Sequence, residues 1–170
     1  LVQYLVDTTN TWITFDHPVS TSRTISVTGL TNGTGYLFRV AAVNAAGAGE
    51  YSNATGIIVP SGVPGTPTSV SASATSQTAA ISWTAPSTNG AAISDYKIEY
   101  SNDAGSTWTT YSHAASASTS ATVSGLTNYL AYIFRVSAYN ANGYGQASST
   151  STAVNPGSTV ASISLSTSAS

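Results

Sequence analysis

At 170 residues and 17.2 kDa the chain is long enough for one large domain or two small ones, each with its own core. Only 6% of it is Asp, Glu, Lys or Arg, against roughly 25% in an average soluble domain, so its polarity comes from hydroxyls. Four basic residues, a net charge of −2, no Cys and two His exclude a basic stripe for nucleic acid, a polybasic lipid anchor, a disulfide framework, a thiolate metal site and a cysteine nucleophile.

In chain order, the first 60 residues introduce a unit that returns later. Residues 1 to 60 lie on residues 97 to 156 without a gap, with about 24 identities. Tyr4 falls on Tyr100, Trp12 on Trp108, His17 on His113 and Gly29-Leu30-Thr31-Asn32 on Gly125-Leu126-Thr127-Asn128. Tyr36, Phe38, Arg39 and Val40 fall on Tyr132, Phe134, Arg135 and Val136. Rare aromatics, His and Arg carry the match, which composition bias in a Ser/Thr-rich chain does not produce. A period this long makes each copy a domain rather than a solenoid unit.

The linker Val59-Pro60-Ser61-Gly62-Val63-Pro64-Gly65-Thr66-Pro67 is short and carries three prolines, which reads as semi-rigid. Beyond it, turn residues divide the second copy into seven runs of β-branched and aromatic residues with period-2 alternation. These predict strands near 68 to 75, 78 to 84, 95 to 102, 107 to 111, 120 to 124, 131 to 140 and 147 to 154. Parity turns Val70, Ala72, Ile81, Trp83, Tyr96, Ile98, Tyr100, Ala121, Val123, Tyr132, Phe134, Val136 and Ala138 inward. No segment has apolar residues at helical spacing with caps, and no apolar run reaches the length of a membrane span.

These segments resemble the fibronectin type III domain. The resemblance rests on the entry Val63-Pro64-Gly65-Thr66-Pro67, on Ile81-Ser82-Trp83-Thr84-Ala85-Pro86, on Asp95-Tyr96-Lys97-Ile98-Glu99-Tyr100, and on Gly125-Leu126-Thr127-Asn128 followed by the run 132 to 140, Gly143 and Gly145. It implies an all-β fold of tandem immunoglobulin-like sandwiches, seven strands per complete domain. It also implies a tyrosine corner at Tyr132 and a central Trp83. The core expected from pattern and resemblance together is Trp83, Tyr96, Ile98, Leu126, Tyr132, Phe134 and Val136, with Tyr36, Phe38 and Val40 in the first copy. Asn-Gly-rich turns look like bacterial or phage members of the family.

By the offset, the first copy starts inside its third strand. The expected domains are therefore 1–60, a partial copy lacking its first two strands, then 61–157, a complete copy, then 158–170, the first strand of a following domain or a donated strand. A chain that opens on Leu1 and contains no Met reads as a processed product or a piece of something longer. Missing strands are expected to expose Val2, Tyr4, Tyr36, Phe38 and Val40.

Chemistry is sparse. The six carboxylates fall on turns and a solvent face with no acid/base pair among them. Asp7 and Asp103 share one repeat position in a turn, where a carboxylate caps backbone amides or joins a weak Ca²⁺ site, although loops with several Asp per turn are absent, and one His per copy builds no metal site. No catalytic residue, metal or cofactor is expected. Trp12, Trp108 and Tyr111 are the candidate glycan contacts, flat rings on a short edge strand, and the competing reading has each Trp cover its own domain. Arg135 is placed across from Glu99 on the neighbouring strand. Where the second copy has Lys97, Glu99, Ser101, Arg135 and Ser137 on its outer face, the first has Leu1, Gln3, Leu5, Arg39 and Ala41. Leu1, Leu5, Leu37 and Val43 are thus the candidate protein interface. The expected function is a non-catalytic structural and interaction module of an extracellular, cell-surface or virion protein, part of a repetitive fibre, sheath or adhesin. Its expected partners are other copies of itself, neighbouring domains or surface glycans. The rival readings are a carbohydrate-binding module and a spacer in a secreted polysaccharide-degrading enzyme.

Overall fold

The computed structural model describes residues 1–157, so the strand expected within 158–170 lies outside the described residues. All regular structure among the described residues is β, as the alternation and the missing helical pattern require. The chain divides into two compact units, Leu1–Val63 with Thr88–Ala92, and Pro64–Ser87 with the chain from Ile93 onward.

The first unit contains β1 (Val2–Val6), β2 (Ile13–Phe15) and β3 (Tyr36–Val40), in the sheet order β2-β1-β3, and a ribbon of β4 (Val43–Asn44) with β5 (Gly47–Ala48). In the second unit, β6 (Thr68–Thr75), β7 (Thr78–Thr84) and β10 (Ser120–Ser124) form one sheet in the order β10-β7-β6. Its other sheet has the order β12-β11-β8-β9, from β8 (Asp95–Ser101), β9 (Thr109–Tyr111), β11 (Ile133–Asn140) and β12 (Gly143–Tyr144). Every ladder is antiparallel.

The second unit buries what parity turned inward. Trp83, Tyr96, Ile98, Leu126, Tyr132, Phe134 and Val136 form one cluster, with Val70, Ala72, Tyr100, Ala121 and Val154 packed against it. The Trp83 and Tyr96 rings meet edge to face at 5.0 Å, and Tyr100 meets Tyr132 the same way at 5.9 Å, the geometry that ring quadrupoles favour. The Tyr132 hydroxyl accepts the Thr127 N–H at 3.1 Å, and Tyr36 repeats this with Thr31 at 2.9 Å, so both copies have the tyrosine corner. The preceding Gly29 and Gly125 have φ of 77° and 78°, a conformation that costs glycine little and a side chain more.

The expected seventh strand, 147 to 154, is not a regular ladder. Ser148 and Ser151 donate their N–H groups to the Val136 and Phe134 carbonyls at 2.9 Å. Their hydroxyls then accept the N–H groups of the same two residues, at 3.0 and 3.1 Å. A side-chain oxygen replaces a backbone carbonyl every third residue, so hydrogen bonding is complete while strand pairing survives only at Tyr132 and Val154. Ser52 and Thr55 act identically on Val40 and Phe38 in the first unit.

The first unit has the second unit's register, Gln3 opposite Arg39 as Glu99 is opposite Arg135, but among the described residues no counterpart of β6 and β7. Residues 24 to 28, the equivalents of β10, are consequently not a strand, because β10 exists by pairing with β7. Two expectations are corrected here. Val40, placed in the core by strand pattern but exposed by the missing-strand reading, is 51% exposed, and Phe38 is only half-buried, whereas Val136 and Phe134 are 0% exposed; among the described residues no second sheet covers the first pair. Conversely, Val2, expected to be exposed, is buried, and Tyr36 is buried as the core pattern has it and not exposed as the missing strands suggested. Val2 is flanked by Val40 and Phe15 on its neighbouring strands, and Tyr36 takes the edge of Tyr4 at 5.9 Å while its hydroxyl is tied to Thr31.

Two outcomes test this account. Trp83→Ala should destabilise the second unit by about 3–5 kcal/mol in a denaturant titration. Ser151→Ala leaves the buried Phe134 N–H without an acceptor and should cost about 1–3 kcal/mol, more than the same change at exposed Ser149.

Candidate interaction surface

The outer faces of the two units are built on one strand register and differ in chemistry. In the second unit, Arg135 donates from Nε to Glu99 Oε2 at 2.9 Å, while Lys97 Nζ stands 3.5 Å from Glu99 Oε1. The Arg135 guanidinium also lies over the Trp108 ring, 4.1 Å from its centre. Cross-strand pairing at Arg135 and Glu99 puts cation and carboxylate on one face. Glu99 is buried, which pulls its pKa up. The hydrogen bond from Arg135 and the charges of Lys97 and Arg135 outweigh that pull and hold it below the ordinary carboxylate value.

The first unit rebuilds this cluster without its carboxylate. Arg39 donates from Nε and Nη2 to Gln3 Oε1 at 2.9 and 2.7 Å, and Gln3 Nε2 donates to Thr14 Oγ1 at 3.1 Å. The Arg39 guanidinium lies 4.1 Å from the centre of the Trp12 ring and 4.2 Å from that of Tyr51. Tyr51 has no aromatic equivalent, since the matching residue is Ala147. Its role was not anticipated from the sequence, although an aromatic present in one copy and absent in the other was the available signal.

Each of the expected interface residues has a definite place. Leu5 and Leu37 are opposite one another on β1 and β3 and half-buried, Leu1 is exposed, and Val43, opposite Ala48, is 59% exposed. Trp12 and Trp108 are half-buried, each with an arginine over its ring. Tyr111 packs against the core of its unit.

The remaining polar groups serve turns. Asp103 Oδ1 accepts from the Ser101 hydroxyl at 2.6 Å and from the Thr107 N–H at 2.9 Å, and Oδ2 accepts from the Thr107 hydroxyl at 2.6 Å. Those bonds, the one from Ser101 foremost, lower its pKa from 3.8 to about 2. His17 and His113 stack on Phe15 and Tyr111 at 6.0 Å. Among the described residues no three His, Cys, Asp or Glu side chains group closely enough to hold a metal ion.

Comparison with known proteins places this geometry. The description "Fibronectin type III domain" matches residues 1–57 and 65–154. Human Myomesin-2 is 34% identical over 135 residues, covering 75% of this chain, and rat cardiac-type Myosin-binding protein C is 35% identical over 115 residues, covering 66%. The chain spans 9% of the length of each of these two relatives. A crystal structure of domains from titin matches at 20% identity with a TM-score of 0.58, over 91% of this chain and 53% of that one, a likeness of fold alone. Relatives of this kind are structural proteins of the sarcomere, inside the cell. They overturn the expectation of an extracellular, cell-surface or virion location. They likewise give no support to a bacterial or phage affiliation read from the Asn-Gly turns.

The Asp103 turn yields a pH prediction. Because its folded pKa lies below the ordinary value, its contribution is complete above pH 3.8 and is lost as pH falls toward about 2. NMR titration should show the Asp103 carboxyl and the Thr107 amide moving together within that window. Asp103→Asn should loosen the same turn at neutral pH.

Proposed function

The chain belongs to the fibronectin type III family, and on that premise we propose that it works as a non-catalytic spacer and interaction module in an array of such domains. Residues 1–60 carry one copy of the domain pattern, residues 61–157 carry a complete one, and the partners are neighbouring domains or other copies of the chain.

The observation that carries this reading is the difference between two faces built on one register. Leu1 and Leu5 take the places of Lys97 and Ser101, and Gln3 takes that of Glu99. Leu37 and Val43 extend the patch in strand parity with them. Burying this face removes apolar area from water at roughly 25 cal/mol per Å² and desolvates a single cation. Low charge throughout the chain favours such contacts, since few ions lose their hydration when surfaces meet.

Protein contact is favoured over the glycan reading of Trp12, Trp108 and Tyr111. A sugar ring stacks on a free aromatic face, and an arginine lies over each Trp ring while Tyr111 faces the core.

The double variant Leu37→Lys with Val43→Lys should keep its β-sheet circular dichroism while losing concentration-dependent association in sedimentation equilibrium. Unchanged association would refute the assignment of this face.

A further inference from the structure

Trp12 and Arg39 match Trp108 and Arg135 residue for residue, and the two clusters differ at the strand position opposite the arginine. There the second unit has Glu99 and the first has Gln3. Both ion pairs among the described residues are made by Glu99, so Arg39 has no carboxylate on it. A guanidinium offers five N–H donors. Gln3 Oε1 takes two of those of Arg39, and the other three have no hydrogen-bond partner among the described residues. Two rings and a glutamine amide hold the group in place, so little side-chain entropy remains to be lost when an acceptor arrives. Leu5 and Leu37 are opposite one another two residues along the strands, which places an apolar contact beside the cation.

We propose that Arg39 is the reading head of this face, taking an Asp or Glu carboxylate from an extended partner segment whose neighbouring side chains are aliphatic. The incoming carboxylate supplies in trans what Glu99 supplies to Arg135 in cis. Carboxylate geometry matches the guanidinium edge in a two-pronged pair, and the aliphatic neighbours of the acid lie on Leu5 and Leu37. This inference rests on the interface reading above and adds the chemistry of the partner. Charge complementarity selects the occupant: a wholly apolar segment would bury a cation without a counter-ion, and a basic one would repel it.

The test uses the whole 170-residue chain and two peptide probes, Ac-Leu-Glu-Leu-NH2 and Ac-Leu-Gln-Leu-NH2, with sodium acetate as a third arm. The side-chain Nε–Hε signals of Arg39 and Arg135 are followed by NMR. The Glu peptide should shift the Arg39 signal saturably, bind about tenfold more tightly than the Gln peptide, and leave Arg135 unmoved. Gln3→Glu, which reproduces the pair of the second unit, should remove that preference with the amide spectrum of the fold retained. Equal affinity for the two peptides overturns the carboxylate reading while leaving the apolar face standing. No saturable shift with either peptide overturns it as well, as does an undiminished Glu preference in Gln3→Glu. An acetate effect as strong as that of the peptide would show that no protein segment is recognised. The paired peptides need no variant, so the comparison holds even if Gln3→Glu fails to fold.

Discussion

A β-sheet with one apolar face gains its stability from whatever lies over that face, and this requirement governs both units. In the second, β6, β7 and β10 cover β8 and β11, and Trp83 fills the gap between the sheets with its ring edge to face against Tyr96. Its indole N–H is a buried donor without a partner among the described residues, so Trp83 contributes through packed area. In the first unit the equivalent residues form the same sheet, and among the described residues no second sheet covers it. Phe38 and Val40 are then partly in solvent, and residues 24 to 28 do not pair at all.

Strand pairing and face burial are therefore separable in this fold. The register of β1 with β3 equals that of β8 with β11 down to the facing residues, because hydrogen bonds and tyrosine corners belong to the sheet that is present. What depends on the absent sheet is the exposure of every second side chain. The hydroxyl arrangement at Ser52, Thr55, Ser148 and Ser151 follows the same division. It completes the hydrogen bonding of β3 and β11 locally, in both units, and asks nothing of the opposite sheet.

With so few charged residues, the placement of each matters. Glu99 is buried at a site where Arg135 and Lys97 both reach it, which offsets the desolvation that a lone carboxylate would suffer. Arg39 reaches a similar compromise by another route, with ring faces and an amide oxygen in place of a carboxylate. The first arrangement is electrically closed and the second remains open to an anion. Family membership does not distinguish them, since both copies satisfy the family pattern.

The sequence by itself determined the all-β class, the 96-residue repeat, the inward parity of the second unit, the tyrosine corner at Tyr132 through the family resemblance, and the pairing of Arg135 with Glu99; the matching corner at Tyr36 came from the structure. The alternation and the repeat are read along the chain, and Arg135 meets Glu99 because strand parity puts both on the same face of neighbouring strands. Tertiary structure alone decided between a buried and an exposed Tyr36, Phe38 and Val40, showed that residues 147 to 154 bond through serine hydroxyls rather than a ladder, and put Tyr51 against Arg39. Those outcomes depend on which distant segment is present to cover a face or reach a side chain. Val40 and Val136 are identical residues on equivalent strands and meet different surroundings, which no local pattern records.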